Sequence, residues 1–313
     1  MRCEWMKTSV GISVHWTSHS ALRDGTVLPF REAAARFDAP GFVRQLAEAG
    51  ATHCIFTLTH AEQYLAFPCV PLEAVLPGRT AGRDLIGELA ALLRQAGIRF
   101  IAYYNHSCNG EDDPVWKQAC GYAAGQSGDL DAFAERICGI VGFTARHLGR
   151  SLDGWWFDSG YSVDPRGPSN TISCDMGDWH FPWEKLCQAA RSGNPDCAVC
   201  INAGIGKNFL YHPDQDYCAG ETVRLDQVFV PEPLPGIVGH RWTCLDNTRW
   251  VFGKADAALG FAPPRFTADE TARFIADNLA QGRMTTFNME IDQTGRINPA
   301  SLARFAEARE RLR

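Results

Sequence analysis

The side chains able to do chemistry collect where apolar runs end. The stretch LDGWWFDSG (152–160) carries two tryptophans and a phenylalanine, stops on a bare carboxylate, Asp158, and continues with the small residues Ser159 and Gly160. Other runs end in the same manner. VGISVHW (10–16) stops on His15 and Trp16, and THCIFTLTH (52–60) on Thr59 and His60 with Glu62 just beyond. IRFIAYYNH (98–106) ends on Tyr103, Tyr104, Asn105 and His106, CAVCINAG (197–204) reaches Asn202, DYCAGE (216–221) reaches Glu221 and RMTTFNME (283–290) reaches Asn288. Aromatic platforms beside hydrogen-bonding groups suit a sugar ring, which offers apolar C–H faces and a fringe of hydroxyls. Two carboxylates across such a pocket suit glycoside hydrolysis, one as nucleophile or base and the other as acid.

Those ends need a scaffold that gathers them. Short apolar segments alternate with helical patterns along the chain. APGFVRQLAEAG (39–50) has Asp38 placed as N-cap and Gly50 as terminator, and RDLIGELAALLRQAG (83–97) puts Leu85, Ile86, Leu89, Leu92 and Leu93 on one face. DLDAFAERICGIVGFTARHLG (129–149), PWEKLCQAARS (182–192), TADETARFIADNLAQG (267–282) and NPASLARFAEARERL (298–312) read as further helices. Strands without a polar face, alternating with helices, imply a parallel sheet covered by helices. About eight strands fit when VFVPEPL (228–234) and HRWTCL (240–245) are weighed with the others, and the closed form is a (β/α)8 TIM-type barrel. No linker or repeat divides the chain, so residues 1–313 read as a single barrel domain. HWTSHS after the first strand is not the Gly-rich phosphate turn a doubly wound sheet would carry. In a barrel the strand C-termini share one face, which is where the polar ends would meet. On the strand ending at Asp158, alternation sends Trp156 to the side of Asp158 and Trp155 with Phe157 to the other.

Composition narrows the class. Hydrophobic residues make up 45% of 313, enough for a large core, and a net charge of −6 gives no basic footprint for nucleic acid. MRCEWMKTSVGISVHW lacks the pattern of a signal peptide, and no run approaches the roughly 18 apolar residues of a membrane helix. Twelve cysteines sit in core-like surroundings, which points to reduced thiols in a cytoplasmic protein. Cys197 and Cys200 fall on opposite faces of a strand, poor geometry for chelation, and His15 and His19 leave a strand end where an i, i+4 spacing fixes nothing. No metal and no organic cofactor is expected, and the small-molecule partner is a carbohydrate. Association into a homo-oligomer is left open.

In order, these segments resemble the catalytic barrel of the α-L-fucosidases of glycoside hydrolase family 29. VGISVHWTSHS is similar to that family's Phe-Gly-x-Phe-x-His-Trp-Gly strand, and ARFDAPGFVRQLAEAGATHCIFTLTHAEQY follows its next helix and strand. GRDLIGELAALLRQAGIRFIAYYN resembles the Arg-Asp-helix-Gly-strand-Tyr-Tyr-Ser segment, and LDGWWFDSG the strand whose terminal Asp is the nucleophile. DYCAGE parallels an Asp-Phe-x-Thr-Pro-Glu element, and FIADNLAQGRMTTFNMEIDQTGRINPASL matches the closing helix, strand and turn. The likeness is collinear over most of the chain and leaves no sequence for the C-terminal β-sandwich that many members carry.

The resemblance implies that Asp158 attacks the anomeric carbon, that Glu221 is the acid/base, that His15 and His60 hold sugar hydroxyls and that Tyr104 lines the pocket. Trp16, Glu62, Asn105, Asn202 and Trp242 complete the expected substrate-binding set. Glu232, between prolines, and Glu62, beside His60, are the alternative acids. Three family positions differ. The His-His pair is His60-Ala61, the Arg of an Asn-Asp-Arg pattern is missing after Asn202, and Trp242 runs directly to Thr243 without the glutamate of a Trp-Glu-Thr-Cys pattern. The resemblance therefore implies a retaining hydrolase of terminal α-L-fucosides or a related sugar. The rival readings are a barrel that binds glycans without cleaving them and, further off, a metal-dependent barrel hydrolase.

Overall fold

Among the described residues, seven strands, all parallel, form one curled sheet: β1 (Val10–Val14), β2 (His53–Thr59), β3 (Arg99–Tyr104), β4 (Gly154–Phe157), β5 (Ala198–Ile201), β6 (His240–Cys244) and β7 (Met284–Asn288). The computed structural model describes residues 2–106, 113–123, 125–229, 234–247 and 249–313. Across the sheet the order is β5-β4-β3-β2-β1-β7-β6, so the pairing of β1 with β7 joins the two ends of the chain. Every strand residue except Arg99 is buried. Burial on both faces explains why the strands read as continuous apolar runs without alternation.

Alternation shows instead in which core each residue enters. Ile55, Ile101, Tyr103, Trp156, Ala198, Cys200, Trp242 and Met284 share a cluster on the concave face, whereas Phe56, Phe100, Tyr104, Trp155, Phe157 and Val199 belong to the larger cluster under the helices. The facing expected for Trp155 and Trp156 is therefore the one observed, and Cys197 and Cys200 lie in different clusters. A short 3-10 helix (Glu4–Thr8) sends Met6 into the concave cluster, which Cys3 also joins. Nearby, His53 and His240 both bond the Thr286 hydroxyl, at 2.7 and 2.8 Å. Gly11 makes room for this layer, because a Cβ there would strike the His53 carbonyl and ring.

The six expected helices form, over Ala39–Glu48, Leu85–Gln95, Leu130–Leu148, Trp183–Ala190, Ala268–Ala280 and Pro299–Glu310. Asp38 caps the first, its carboxylate accepting from the Gly41 N–H at 2.9 Å, and Gly50 beyond its end takes φ +77°. Short helices at Phe30–Arg36, Val70–Val75 and Pro114–Cys120 were not legible as periodic patterns, being under two full turns. No helix of the described residues is long and apolar enough to cross a membrane.

The expected eighth strand is not a regular one among the described residues. Segment 216–222 makes isolated parallel bridges, Tyr217 with Val238 and Glu221 with Trp242. It lies between the edges of the sheet: the Asp216 N–H donates to the Val199 carbonyl and the Trp242 N–H to the Gly220 carbonyl, each at 2.8 Å. Gly220 supplies the physical reason, since its φ of +72° leaves extended geometry and a Cβ there would strike the His240 carbonyl. The 228–234 run forms no strand in its described residues, and Glu232 with the rest of 230–233 lies outside them.

Candidate active site

Asp158 follows the last residue of β4, where the sheet stops shielding the chain. It is 9% exposed and collects five donors. Oδ2 accepts from the Tyr103 hydroxyl at 2.5 Å and the Asn105 amide at 3.2 Å. Oδ1 accepts from the Ser159 N–H at 2.7 Å, the Asn202 amide at 2.9 Å and the Tyr161 hydroxyl at 3.4 Å. Ser159 reaches this geometry at φ +66°, a left-handed conformation that costs a non-glycine residue about 1–3 kcal/mol and tends to persist at functional sites. Such a cage of donors fixes the direction of the carboxylate.

Glu221 approaches from the irregular segment between β5 and β6. The Asn202 amide nitrogen donates to Asp158 Oδ1 at 2.9 Å and to Glu221 Oε2 at 2.8 Å, so these two oxygens lie no more than 5.7 Å apart. The two N–H bonds of an amide diverge by roughly 120°, which puts the oxygens about 5 Å apart. Burial and the Asp158 carboxylate push the Glu221 carboxyl up to about 8, against the opposing pull of the Asn202 hydrogen bond. The pair thus sets one carboxyl caged by donors beside a second whose raised pKa keeps its proton at neutral pH and which has a side open to solvent.

Around the pair stands a wall of rings. His15 bonds Asn288 Oδ1 through Nδ1 at 2.9 Å and stacks on Trp242 at a centroid distance of 5.6 Å. His60 lies parallel to Tyr103 at 6.0 Å and 5.8 Å from His15. Burial lowers both imidazoles, His15 to about 3, so both are neutral, and with its Nδ1–H given to Asn288, His15 presents Nε2 as an acceptor for a hydroxyl group. Trp156 and Trp242 meet edge to face at 4.4 Å beneath the carboxylates, with the Trp156 indole bonded to the Ala219 carbonyl at 3.0 Å. Trp250 closes one side, 4.9 Å from Trp242 and 5.3 Å from His15, its carbonyl accepting from Asn288 Nδ2 at 3.0 Å. Its φ of +67° is a genuine outlier for so bulky a residue.

Asp158, Glu221, His15, His60, Asn105 and Asn202 therefore come together, and Trp242 lies in the floor. Glu62 stands at the rim, 3.8 Å from His19, in no described bond to either carboxylate. Two expected pocket residues face the other way. Tyr104 packs against Trp155, Phe157 and His106 in the helix-side core, and Tyr103 is the tyrosine on Asp158. Trp16 packs on Phe30, Phe37 and Phe56 and donates to the Gln293 carbonyl at 3.2 Å. The reason is the same for both: adjacent strand residues point to opposite faces, and His15 and Tyr103 already take the concave one. Trp250, in a loop, and Tyr161, in the single helical turn Gly160–Val163, carried no signal in the sequence, because neither segment is long enough to show a period that sets a side chain's direction. Among the described residues, no three His, Cys, Asp or Glu side chains are arranged to hold a metal ion.

The alpha-L-fucosidase family model matches residues 28–187, just over half of the chain and a span that includes Asp158. No curated protein matches the sequence. The endo-fucoidan hydrolase MfFcnA4 from glycoside hydrolase family 107 superposes with a TM-score of 0.72 at 15% identity, over 99% of this chain and 53% of its own. A second family 107 endo-fucoidan hydrolase gives 0.69 at 14% identity, over 99% of this chain and 93% of its own. Alpha-L-fucosidase AlfC from Lactobacillus casei, in complex with alpha-L-fucose product, gives 0.68 at 16%, over 99% and 97%. The chain thus spans about half the length of the first and nearly all of the other two, and at these identities the likeness is one of fold. The family match over more than half of the chain leads to one conclusion: the chain belongs to the alpha-L-fucosidase family.

Proposed function

We propose that the protein is a retaining glycoside hydrolase that removes a terminal α-L-fucosyl or closely related residue through a covalent glycosyl-enzyme on Asp158. The observation that carries this reading is the single Asn202 amide holding Asp158 Oδ1 and Glu221 Oε2 within 5.7 Å, close to the roughly 5–5.5 Å separation of retaining enzymes. Asp158 attacks the anomeric carbon as the glycosidic C–O bond breaks, and Glu221 gives its proton to the departing oxygen. Glu221, now ionised, takes a proton from water, which attacks the same carbon and returns the Asp158 carboxylate. His15 and His60 supply neutral imidazoles for the sugar hydroxyls, and Trp250 and Trp242 supply apolar faces. The bridges of segment 216–222 to the β6 side and the Asp216 N–H bond to Val199 of β5 support closure of the sheet into a (β/α)8 barrel around this site.

The test is hydrolysis of an aryl α-L-fucoside followed by proton NMR. The first-formed sugar is expected in the α configuration, and Asp158→Asn is expected to lose turnover. A β first product, or an Asp158→Asn variant as fast as the parent, would overturn the mechanism.

A further inference from the structure

Asn202 belongs to the strand-end set expected to bind sugar, yet its bonds are spent elsewhere. It is fully buried, both hydrogens of its amide nitrogen go to carboxylates, and its oxygen accepts the Gly204 N–H at 3.0 Å. The Gly204 bond also settles which end of the amide faces the carboxylates, because only the oxygen can accept from an N–H. The residue sits one position beyond β5 and follows the Phe157 carbonyl through its own N–H at 2.8 Å, so its backbone is anchored to β4, the strand that carries Asp158. The amide is thus a rigid strut between two groups from different segments of the chain.

We propose that Asn202 is a positioning residue that couples the two carboxylates, setting their separation and choosing the Glu221 oxygen that carries the proton. This rests on the catalytic roles proposed for Asp158 and Glu221. A carboxylic acid accepts most readily on its carbonyl oxygen. With Oε2 held by the amide, the proton resides on Oε1, the oxygen left to meet the leaving group. When the proton departs, the same N–H remains to stabilise the new carboxylate, and when Asp158 becomes an ester its share of the amide's donation weakens. One nitrogen therefore answers to both half-reactions. The charged or titratable groups facing Glu221 are Asp158 and, more distantly, the Cys244 thiol. Among the described residues, neither is bonded to Oε2 in place of Asn202.

The experiment uses Asn202→Ala and the near-isosteric Asn202→Asp, each checked for its fold by near-UV circular dichroism. Glutamate labelled with carbon-13 at its carboxyl is titrated by NMR, and the pH profile of kcat/KM is measured on a phenyl and a dinitrophenyl α-L-fucoside. In Asn202→Ala the Glu221 titration and the alkaline limb are expected to move to higher pH. On the phenyl substrate kcat is expected to fall about 100-fold, within the range that acid/base catalysis supplies, while KM changes less than about threefold. The dinitrophenyl substrate, which needs little protonation, is expected to lose less. Asn202→Asp, which turns an acceptor toward two carboxylates, is expected to be at least as impaired and carries the kinetic test if the alanine variant does not fold. An unmoved Glu221 titration, or a loss confined to KM, overturns the proposal. A moved titration in a protein that hydrolyses neither fucoside keeps the strut and sinks the proposed activity instead.

Discussion

Replacing Asp158 by Asn should lower the pKa of Glu221, and the size of the drop follows from the site. A carboxylate and an ionised Glu221 repel across a gap of at most 5.7 Å between nearest oxygens. With an effective dielectric constant near 20, two unit charges at that separation interact by about 3 kcal/mol, or about two pKa units. Solvent on the open side of Glu221 screens part of this, which leaves an expected fall of about one to two units from its starting value near 8. Burial, the larger cause of the raised value, is untouched by the substitution, so the group should not return fully to the ordinary carboxylate range. The assay is the carboxyl carbon-13 titration of Glu221 in parent and variant, assigned through Glu221→Gln. A titration that stays within about 0.3 units would refute the coupling and, with it, the division of labour between nucleophile and acid.

Further outcomes follow from the same geometry. Tyr103→Phe removes a donor from Asp158 and is expected to lower kcat about tenfold or more, whereas Tyr104→Phe, in the helix-side core, leaves kcat nearly unchanged; steady-state rates on an aryl fucoside separate the two. Trp250→Gly strips one wall of the pocket but relieves a left-handed backbone, so KM should rise while Tm stays level or rises slightly, since the released strain is about 1–3 kcal/mol. His15 and His53 are held neutral by burial with values lowered to about 3, so the unfolded chain binds more protons below its ordinary histidine pKa of about 6.5. The histidine contribution to stability should therefore be full above that pH and fall by several kcal/mol on acidification toward pH 4, partly offset by the raised carboxyl of Glu221. Urea midpoints measured from pH 7 to 4 check this, and His53→Gln should flatten the curve.

Much of this molecule is local and was readable as such. Asp38 before an apolar helix is an N-cap wherever that helix lands, because the bond it makes is to its own chain three residues on. The apolar runs become strands and helices because only their burial offsets the cost of ordering them. The facing of Trp156 with Asp158 follows from the two-residue period of any strand. The acid at the end of an apolar run was likewise visible, and so was the type of chemistry that acids, imidazoles and aromatics can share.

What the tertiary structure decided is which of these groups meet. Tyr103 and Tyr104 are identical by type and adjacent by number, and only pairing of β3 against β4 in register Tyr103 to Trp156 sets one on Asp158 and the other among Phe157 and Trp155. Trp16 was assigned to the pocket for its chemistry and lost it to alternation beside His15. Glu221 meets Asn202 through Gly220, whose left-handed turn breaks the expected strand and delivers the carboxyl there. Nineteen positions along the chain separate Asn202 from Glu221 and forty-four separate it from Asp158. No sequence period spans such gaps, so the pairing of two carboxylates through one amide exists only once the sheet has curled.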